Sequence, residues 1–233
     1  MIIRHVDLSS LKSVREFCKE IIETEDKIDV LIHNAGYGSF ISKAISADGI
    51  EYTMATNHYG PFLMTHLLSD LLKKSAPCRI VVVSSLAHTC ARLDPSNEAT
   101  LNPVDCFPLR NYADSKLANI LFTYELSRRL QGTGITVNAL HPGVIDTEIW
   151  RNYPFPLNIL SRFFQIFMRT LWEGVQTTLF VALSTSIDDV SGKYFVDCAI
   201  HKTSADSQNK EWQAMLWKMS KEIVGLKEDD PRF

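Results

Sequence analysis

Residues 79–85, Arg-Ile-Val-Val-Val-Ser-Ser, are an apolar run that ends in two serines. A short run of β-branched residues predicts a buried strand, and the small polar residues after it predict a turn at its carboxyl end. The same arrangement occurs twice more, where Ile28–Ile32 precedes His-Asn-Ala-Gly and Ile135–Leu140 precedes His-Pro-Gly. Because longer segments of helical period lie between these runs, the sequence predicts an α/β fold with a doubly wound, mostly parallel sheet.

The remaining elements extend this pattern to both ends of the chain. Two more strands are predicted, Ile2–Val6 and Lys193–Val196. Helices are predicted over residues 11–21, 49–74, 111–129 and 157–183, and residues 91–110, which contain several prolines, are predicted to form a loop. A length of 233 residues suits a single α/β domain, so one domain is expected over residues 1–233.

The composition excludes several classes of protein. A formal charge of −3 disfavours nucleic acid as a partner. Five cysteines, none spaced as C-x-x-C, disfavour both a disulfide framework and a metal site, and they suit a reducing compartment. We expect no secretory signal and no transmembrane span, because the most apolar segment, Phe155–Trp172, is interrupted by Arg162 and Arg169. That segment is predicted to be an amphipathic helix or a lid over a site.

A chemically active pair lies on the predicted helix at 111–129. Tyr112 and Lys116 are four residues apart and therefore share one helix face. A neighbouring ammonium favours the phenolate, so Lys116 is expected to lower the pKa of Tyr112 and allow it to exchange a proton with an alcohol or carbonyl oxygen. Ser85, at the end of a neighbouring strand, is placed to hold that oxygen. A pair of this kind also occurs by chance on solvated helix faces.

Ordered motifs along the chain resemble one family. They are Val6-Asp7-Leu8, Asn34-Ala35-Gly36, Asn57-His58-Tyr59-Gly60, Val83 to His88, Tyr112 to Asn119, Pro142 to Thr147, Glu173 to Thr177 and Ser191 to Phe195. Together they resemble the short-chain dehydrogenases/reductases, and within that family the retinol-dehydrogenase-like branch. The resemblance covers nearly the whole chain and implies a Rossmann-like fold.

The resemblance also implies a reaction and a set of roles. It implies hydride transfer with NADP or NAD, NADP being slightly favoured, and an acid–base role for Tyr112. Ser85 would polarise the substrate oxygen, Lys116 would also bind the ribose, and Asn57 would hold a water in a proton relay. The cofactor-binding residues that it implies are Asp7, Asn34, Ala35, Gly36, Tyr112, Lys116, Pro142, Gly143, Ile145 and Thr147. Structural roles compete for three of these: a helix cap for Asp7, a turn for Asn34, and a core or cap role for Thr147.

The sequence departs from the family at its start. Members begin with a strand, a glycine-rich turn and a helix that cradle the cofactor pyrophosphate, and no such glycine pattern precedes the first predicted strand. We therefore expect Ile2–Val6 to correspond to the third strand of the family, with the first two strands absent. We also expect Ile2–Val6 to move beside Val30–Ile32 and partly close the gap, and the cofactor to bind weakly or not at all.

Two functions consequently stay open. One is an oxidoreductase that interconverts an alcohol and a carbonyl on a lipophilic substrate, such as a retinoid, a steroid or an aldehyde. The other is a catalytically impaired fragment or pseudoenzyme that binds a partner through an exposed sheet edge. A sugar-nucleotide epimerase also uses a Tyr-x-x-x-Lys pair, but the Pro142-Gly143 turn and the short carboxyl-terminal region resemble that class less. The resemblance further implies a homodimer, in the cytoplasm or peripherally on the endoplasmic reticulum membrane.

Overall fold

A five-stranded sheet forms the centre of the part of the chain that the structure, a computed structural model, describes: residues 1–39, 43–104, 108–143 and 170–233. The strands are β1 (Val30–His33), β2 (Cys78–Val83), β3 (Ile135–His141), β4 (Tyr194–Val196) and β5 (Ala199–His201), and they lie side by side in chain order. The first four are parallel and β5 runs antiparallel to β4. The predicted α/β class with a mostly parallel sheet is confirmed.

Helices connect and flank the strands. They are α1 (Leu11–Thr24), α2 (Tyr52–Met54), α3 (Gly60–Leu67), α4 (Ser69–Lys74), α5 (Glu98–Leu101), α6 (Pro108–Arg129), α7 (Leu171–Leu183) and α8 (Lys210–Ile223), with a π-helix at Ala55–Tyr59 between α2 and α3. The first three predicted helices are confirmed. The predicted helix at 157–183 is seen from Leu171 onward, its earlier part lying outside the described residues. The predicted loop at 91–110 contains α5 and the start of α6.

The predicted strand Ile2–Val6 is wrong. Residues 1–7 form no strand, and Ile2 and Ile3 are 72% and 84% exposed. The guanidinium of Arg4 instead pairs with Glu20 at 2.9 Å and Glu25 at 2.7 Å, which holds this segment along α1. The hypothesis that it pairs beside β1 is also wrong, since the ladder of β1 described here runs to β2.

Both faces of the sheet are covered, as alternating side chains of β2 show. Ile80 and Val82 point into the larger core, which α1, α3, α6 and α8 complete. Val81 and Val83 point to the opposite face, where they pack with Val181 of α7 and with other buried apolar residues. Since every second residue of a strand faces the same side, an uninterrupted apolar run such as residues 80–83 is what a doubly covered strand requires.

The helices nearest the site are fixed by specific local contacts. A Cβ atom on Gly60 would overlap the carbonyl oxygen of Leu8, so glycine allows the segment before α1 to lie directly against the start of α3. Thr170 and Glu173 form a reciprocal capping box that begins α7. Within the described ranges, no helix is long and apolar enough to cross a membrane. Of the predicted lid at 155–172, residues 155–169 lie outside the description, while Leu171 and Trp172 are exposed.

Candidate active site

The carboxyl end of β2 brings Ser85 to the face of α6 that carries Tyr112. Ser85 caps a 3-10 turn, Leu86–Cys90, and its Oγ accepts a hydrogen bond from the backbone N–H of Ala87 at 3.2 Å. That contact uses the oxygen as an acceptor and leaves the hydroxyl proton available for donation. The Ser85 side chain lies close enough to Tyr112 for its hydroxyl to lower the pKa of the phenol. The predicted serine and tyrosine therefore meet at the end of the sheet.

Burial, rather than the neighbouring lysine, dominates the acidity of Tyr112. Its pKa is raised by burial, which penalises the phenolate, and the neighbouring Ser85 hydroxyl offsets only part of this effect. The expectation that Lys116 lowers the pKa of Tyr112 is therefore wrong for this geometry. The Lys116 Nζ atom lies over the tyrosine ring, 5.5 Å from its centroid, and donates to the Val83 carbonyl. At neutral pH the phenol is protonated.

Lys116 is itself almost completely buried. It is 3% exposed, and its Nζ atom donates to the carbonyl oxygen of Val83 at 3.0 Å. Burial lowers its pKa from 10.5 to about 8, because the ammonium loses its water shell. Ser84 holds the helix at this point, since its Oγ donates to the backbone carbonyl of Lys116 at 2.7 Å. The sequence pattern placed Ser84 in a turn and did not indicate this anchoring contact.

Asn57 fastens the loop after β1 to α6. Its Oδ1 accepts from the backbone N–H of Tyr37 at 2.7 Å, while its Nδ2 donates to the Tyr37 carbonyl at 2.8 Å and to Ser115 Oγ at 2.9 Å. The residue lies in the π-helix, a type of segment that is common at functional sites. With both ends of its amide engaged by protein atoms, the side chain holds the site together. Its implied role in holding a water stays a prediction.

The turn Asn34-Ala35-Gly36 passes over the lysine and the asparagine. A Cβ atom on Gly36 would lie 3.4 Å from Lys116 Nζ and 3.6 Å from Asn57 Oδ1. The next glycine, Gly38, packs against the ring of Tyr112, where a Cβ atom would approach Cδ2 to 3.1 Å. Glycine at these two positions therefore allows the backbone of this loop to lie close against the ammonium and the phenol ring.

The other predicted cofactor residues are placed differently. Asp7 forms a turn before α1, where its Oδ1 accepts from the backbone N–H of Ser9 at 2.9 Å and from its Oγ at 2.7 Å. The helix cap itself is Ser10. Pro142 and Gly143 follow β3 and are half-buried, and Gly143 has a φ of 91°, which a glycine adopts without strain. The remaining two residues, Ile145 and Thr147, lie outside the described residues.

Comparison with known proteins identifies the family. The family model for short chain dehydrogenases matches residues 1–155. The chain belongs to the short-chain dehydrogenase family. It is 42% identical to retinol dehydrogenase 14 of Homo sapiens over 232 residues, a match that covers 97% of this chain and 67% of that protein. It is 40% identical to retinol dehydrogenase 12 of Bos taurus over 230 residues, covering 97% of this chain and 71% of the relative.

Solved structures support the same assignment. An uncharacterised protein from Mycobacterium paratuberculosis is 30% identical, with a TM-score of 0.72, and the match covers 95% of this chain and 75% of that one. The NADPH-bound carbonyl reductase from chicken fatty liver is 20% identical, with a TM-score of 0.59 and coverage of 83% and 73%, and it shares the fold. The predicted retinol-dehydrogenase-like branch is thus confirmed, and this short-chain dehydrogenase is an oxidoreductase, as the sequence predicts.

Proposed function

We propose that this short-chain dehydrogenase interconverts an alcohol and a carbonyl with a nicotinamide dinucleotide, and that its substrate is lipophilic, of the retinoid, steroid or aldehyde class. The observation that carries the proposal is the meeting of Ser85, Tyr112 and Lys116 at the carboxyl ends of the parallel strands. That edge is where open α/β sheets bind their ligands. The names of the relatives, retinol dehydrogenases 14 and 12, support the substrate class.

The residues at this edge of the sheet fit a dinucleotide. An ammonium has three N–H donors, and the one bonded to Val83 leaves others for a ribose hydroxyl. The Asn34-Ala35-Gly36 turn lies next to this ammonium, since a Cβ atom on Gly36 would be 3.4 Å from Lys116 Nζ. Lys116 would therefore hold the ribose, and the Asn34-Ala35-Gly36 turn would lie along the cofactor. When bound, the nicotinamide supplies or accepts the hydride.

The step that the protein's own residues then carry out is the transfer of one proton between Tyr112 and the substrate oxygen. The Ser85 hydroxyl would donate to the substrate oxygen and polarise it, and the Tyr112 hydroxyl would give up a proton to that oxygen as negative charge develops on it. A raised pKa keeps Tyr112 protonated at neutral pH, which is the form that carbonyl reduction requires.

Fluorescence titration with NADPH and, in parallel, NADH tests the cofactor, and turnover of all-trans-retinal tests the reaction. We expect saturable binding of at least one nucleotide. We expect Tyr112→Phe to lower turnover by about 10²–10⁴-fold, the usual contribution of a general acid. Tyr59→Phe is the matched control, since it removes the same atom from a buried tyrosine whose hydroxyl donates to the Leu101 carbonyl. An active Tyr112→Phe variant would contradict the proposed mechanism.

The titration also decides between the two functions that the sequence left open. The partner-binding alternative is favoured by the outer side of β1, where Ile32 is 41% exposed. Absence of binding to both nucleotides would favour it, whereas saturable binding would favour the enzyme. The choice between NADP and NAD, the homodimer, the cytoplasmic or peripheral membrane location and the organisation of residues 1–233 as one domain stay predictions.

A further inference from the structure

A buried histidine joins two parts of the chain that flank the proposed site. His88 is 2% exposed and lies three residues after Ser85. Its Nδ1 is 2.7 Å from the carbonyl oxygen of Ser85, and its Nε2 is 3.2 Å from the backbone nitrogen of Ser204. A backbone N–H can only donate, so Nε2 is the acceptor of the second bond. The proton of the neutral ring is therefore on Nδ1, which donates to Ser85.

The segment on the far side of His88 is fastened to α6. Next to Ser204, the Thr203 Oγ1 atom lies 3.0 Å from the hydroxyl oxygen of Tyr124, which is on the same helix as Tyr112. Ser207 Oγ and Gln208 Nε2 each donate to the same threonine oxygen at 2.6 Å. A continuous set of hydrogen bonds thus runs from the Ser85 carbonyl, through the imidazole and residues 203–208, to the helix that carries the proposed acid.

We propose that His88 is a positioning residue: it ties the loop of Ser85 to α6 and so keeps the serine hydroxyl beside Tyr112. The role rests on the proposed function, because Ser85 and Tyr112 are the groups it would align. The brace holds Ser85 through its backbone carbonyl, while the described hydrogen bond of the serine side chain is the one that it accepts from Ala87 within its own turn. The edge of the imidazole also packs on the ring of Tyr194, with centroids 5.3 Å apart, which fixes the ring plane.

Two amide substitutions separate the two halves of the brace. In His88→Asn, the side-chain N–H₂ group reaches the position of Nδ1 and can donate to Ser85, but it loses the contact with Ser204. In His88→Gln, the longer side chain can accept from Ser204 but does not reach the Ser85 carbonyl as a donor. His88→Ala removes both contacts. Thr89→Ala is the control in the same turn, because Thr89 is exposed and its Oγ1 donates to the Leu86 carbonyl.

Turnover of retinal with the nucleotide that binds gives the first readout. Misplacing a reacting group by about 1 Å can cost roughly 10²-fold in rate, so we expect kcat to fall by about 10- to 100-fold in the Ala and Gln variants. KM for the nucleotide should stay near the wild-type value. His88 acts on Ser85, which is proposed to bind the substrate oxygen, and not on the residues proposed to bind the nucleotide. The Asn variant keeps the bond to Ser85 but loses the tie to Ser204, so its kcat should fall as well, because the brace needs both contacts. A purely structural role would reduce the amount of folded protein and leave kcat of the folded fraction unchanged.

NMR of protein carrying ¹³Cζ-tyrosine gives a second readout that needs neither cofactor nor turnover. The Tyr112 signal is assigned by its loss in Tyr112→Phe. If Ser85 swings away, Tyr112 loses the neighbouring hydroxyl that lowers its pKa, so its midpoint should rise in the Ala, Asn and Gln variants and stay unchanged in Thr89→Ala. Wild-type kcat values or wild-type midpoints in the Asn and Gln variants would overturn the positioning role, even if the Ala variant does not fold. Should the wild-type chain bind no nucleotide, the proposed function fails, while the NMR comparison still tests the brace.

Discussion

Replacing Lys116 by methionine is expected to stabilise the protein while it removes the proposed ribose contact. The ammonium is 3% exposed and has the Val83 carbonyl as its hydrogen-bonded partner at 3.0 Å. Burial lowers the pKa of Lys116 from 10.5 to about 8. The charged form of this lysine is therefore less stable in the folded protein than in the unfolded chain. Methionine has a similar length and no charge to desolvate, and it therefore escapes this cost.

The magnitude and its pH window follow from that pKa. A pKa that differs by one between the folded and unfolded states corresponds to about 1.36 kcal/mol, so the cost of the charged lysine is about 3 kcal/mol. Below pH 8 both states carry the proton and the folded state bears the full cost. Between pH 8 and 10.5 the unfolded chain binds more protons than the folded one, and the free energy of unfolding therefore rises with pH. The advantage of Lys116→Met should be largest below pH 8 and should shrink as the pH approaches 10.5.

Urea unfolding of the apoprotein, followed by tryptophan fluorescence at several pH values from about 7 to 10.5, measures this difference. Subtracting the wild-type free energy of unfolding from that of Lys116→Met removes the contributions of other groups that titrate in this range. Lys218→Met is the matched control, because Lys218 is an exposed lysine of α8. Surface substitutions usually change stability by less than about 0.5 kcal/mol.

The result that would refute the reasoning is a Lys116→Met curve that runs parallel to the wild-type curve across the whole pH range. Such a result would mean that Lys116 is hydrated in solution and bears no burial cost. The expected outcome, a more stable but inactive variant, would mark Lys116 as a residue whose cost to folding is offset by function.

Three further predictions concern the scaffold. Burial lowers the pKa of His58 from 6.5 to about 4. Between these pH values the unfolded chain binds more protons than the folded one, so the free energy of unfolding falls as the pH drops. His58→Phe should remove up to about 3 kcal/mol of that loss, measured by urea unfolding at about pH 4–7. Gly60→Ala should destabilise the fold by about 1–3 kcal/mol, the usual cost of overpacking, because the added methyl group overlaps the Leu8 carbonyl; an unchanged urea midpoint would contradict this contact. Thr170→Ala should cost about 1 kcal/mol through loss of the cap of α7, and Thr170→Ser should retain most of that stability.

Some elements that the sequence pattern did not predict had weak local signals. The short strand β5 follows a two-residue turn, Asp197-Cys198, in which both residues have positive φ values of 53° and 61°. Turns of this kind usually contain Gly or Asn, so the pair gave little indication of a hairpin. Helix α8 had a clearer signal, because Asn209 caps it and apolar residues recur along it at helical spacing, ending at Ile223.

Periodicity and residue type in the sequence alone determined the α/β class, the four parallel strands, most of the helices and the chemistry available at Ser85, Tyr112 and Lys116. These features depend on neighbours within a few positions of the chain, and the side-chain periods of helices and strands are therefore sufficient to predict them. Spacing four residues apart on a helix was enough to place the phenol and the ammonium on one face.

Only the tertiary structure decided where Ile2–Val6 lies, in which direction the pKa of Tyr112 moves, and what His88 contacts. An apolar run becomes a strand only if another strand offers hydrogen bonds to it, and here Arg4 is bound to Glu20 and Glu25 instead. The pKa of Tyr112 depends on burial by residues distant in the chain, and this burial is the largest cause of its rise. The partner of His88 is 116 residues further along the chain. Such contacts form only when the complete fold brings distant segments together, so no local pattern encodes them.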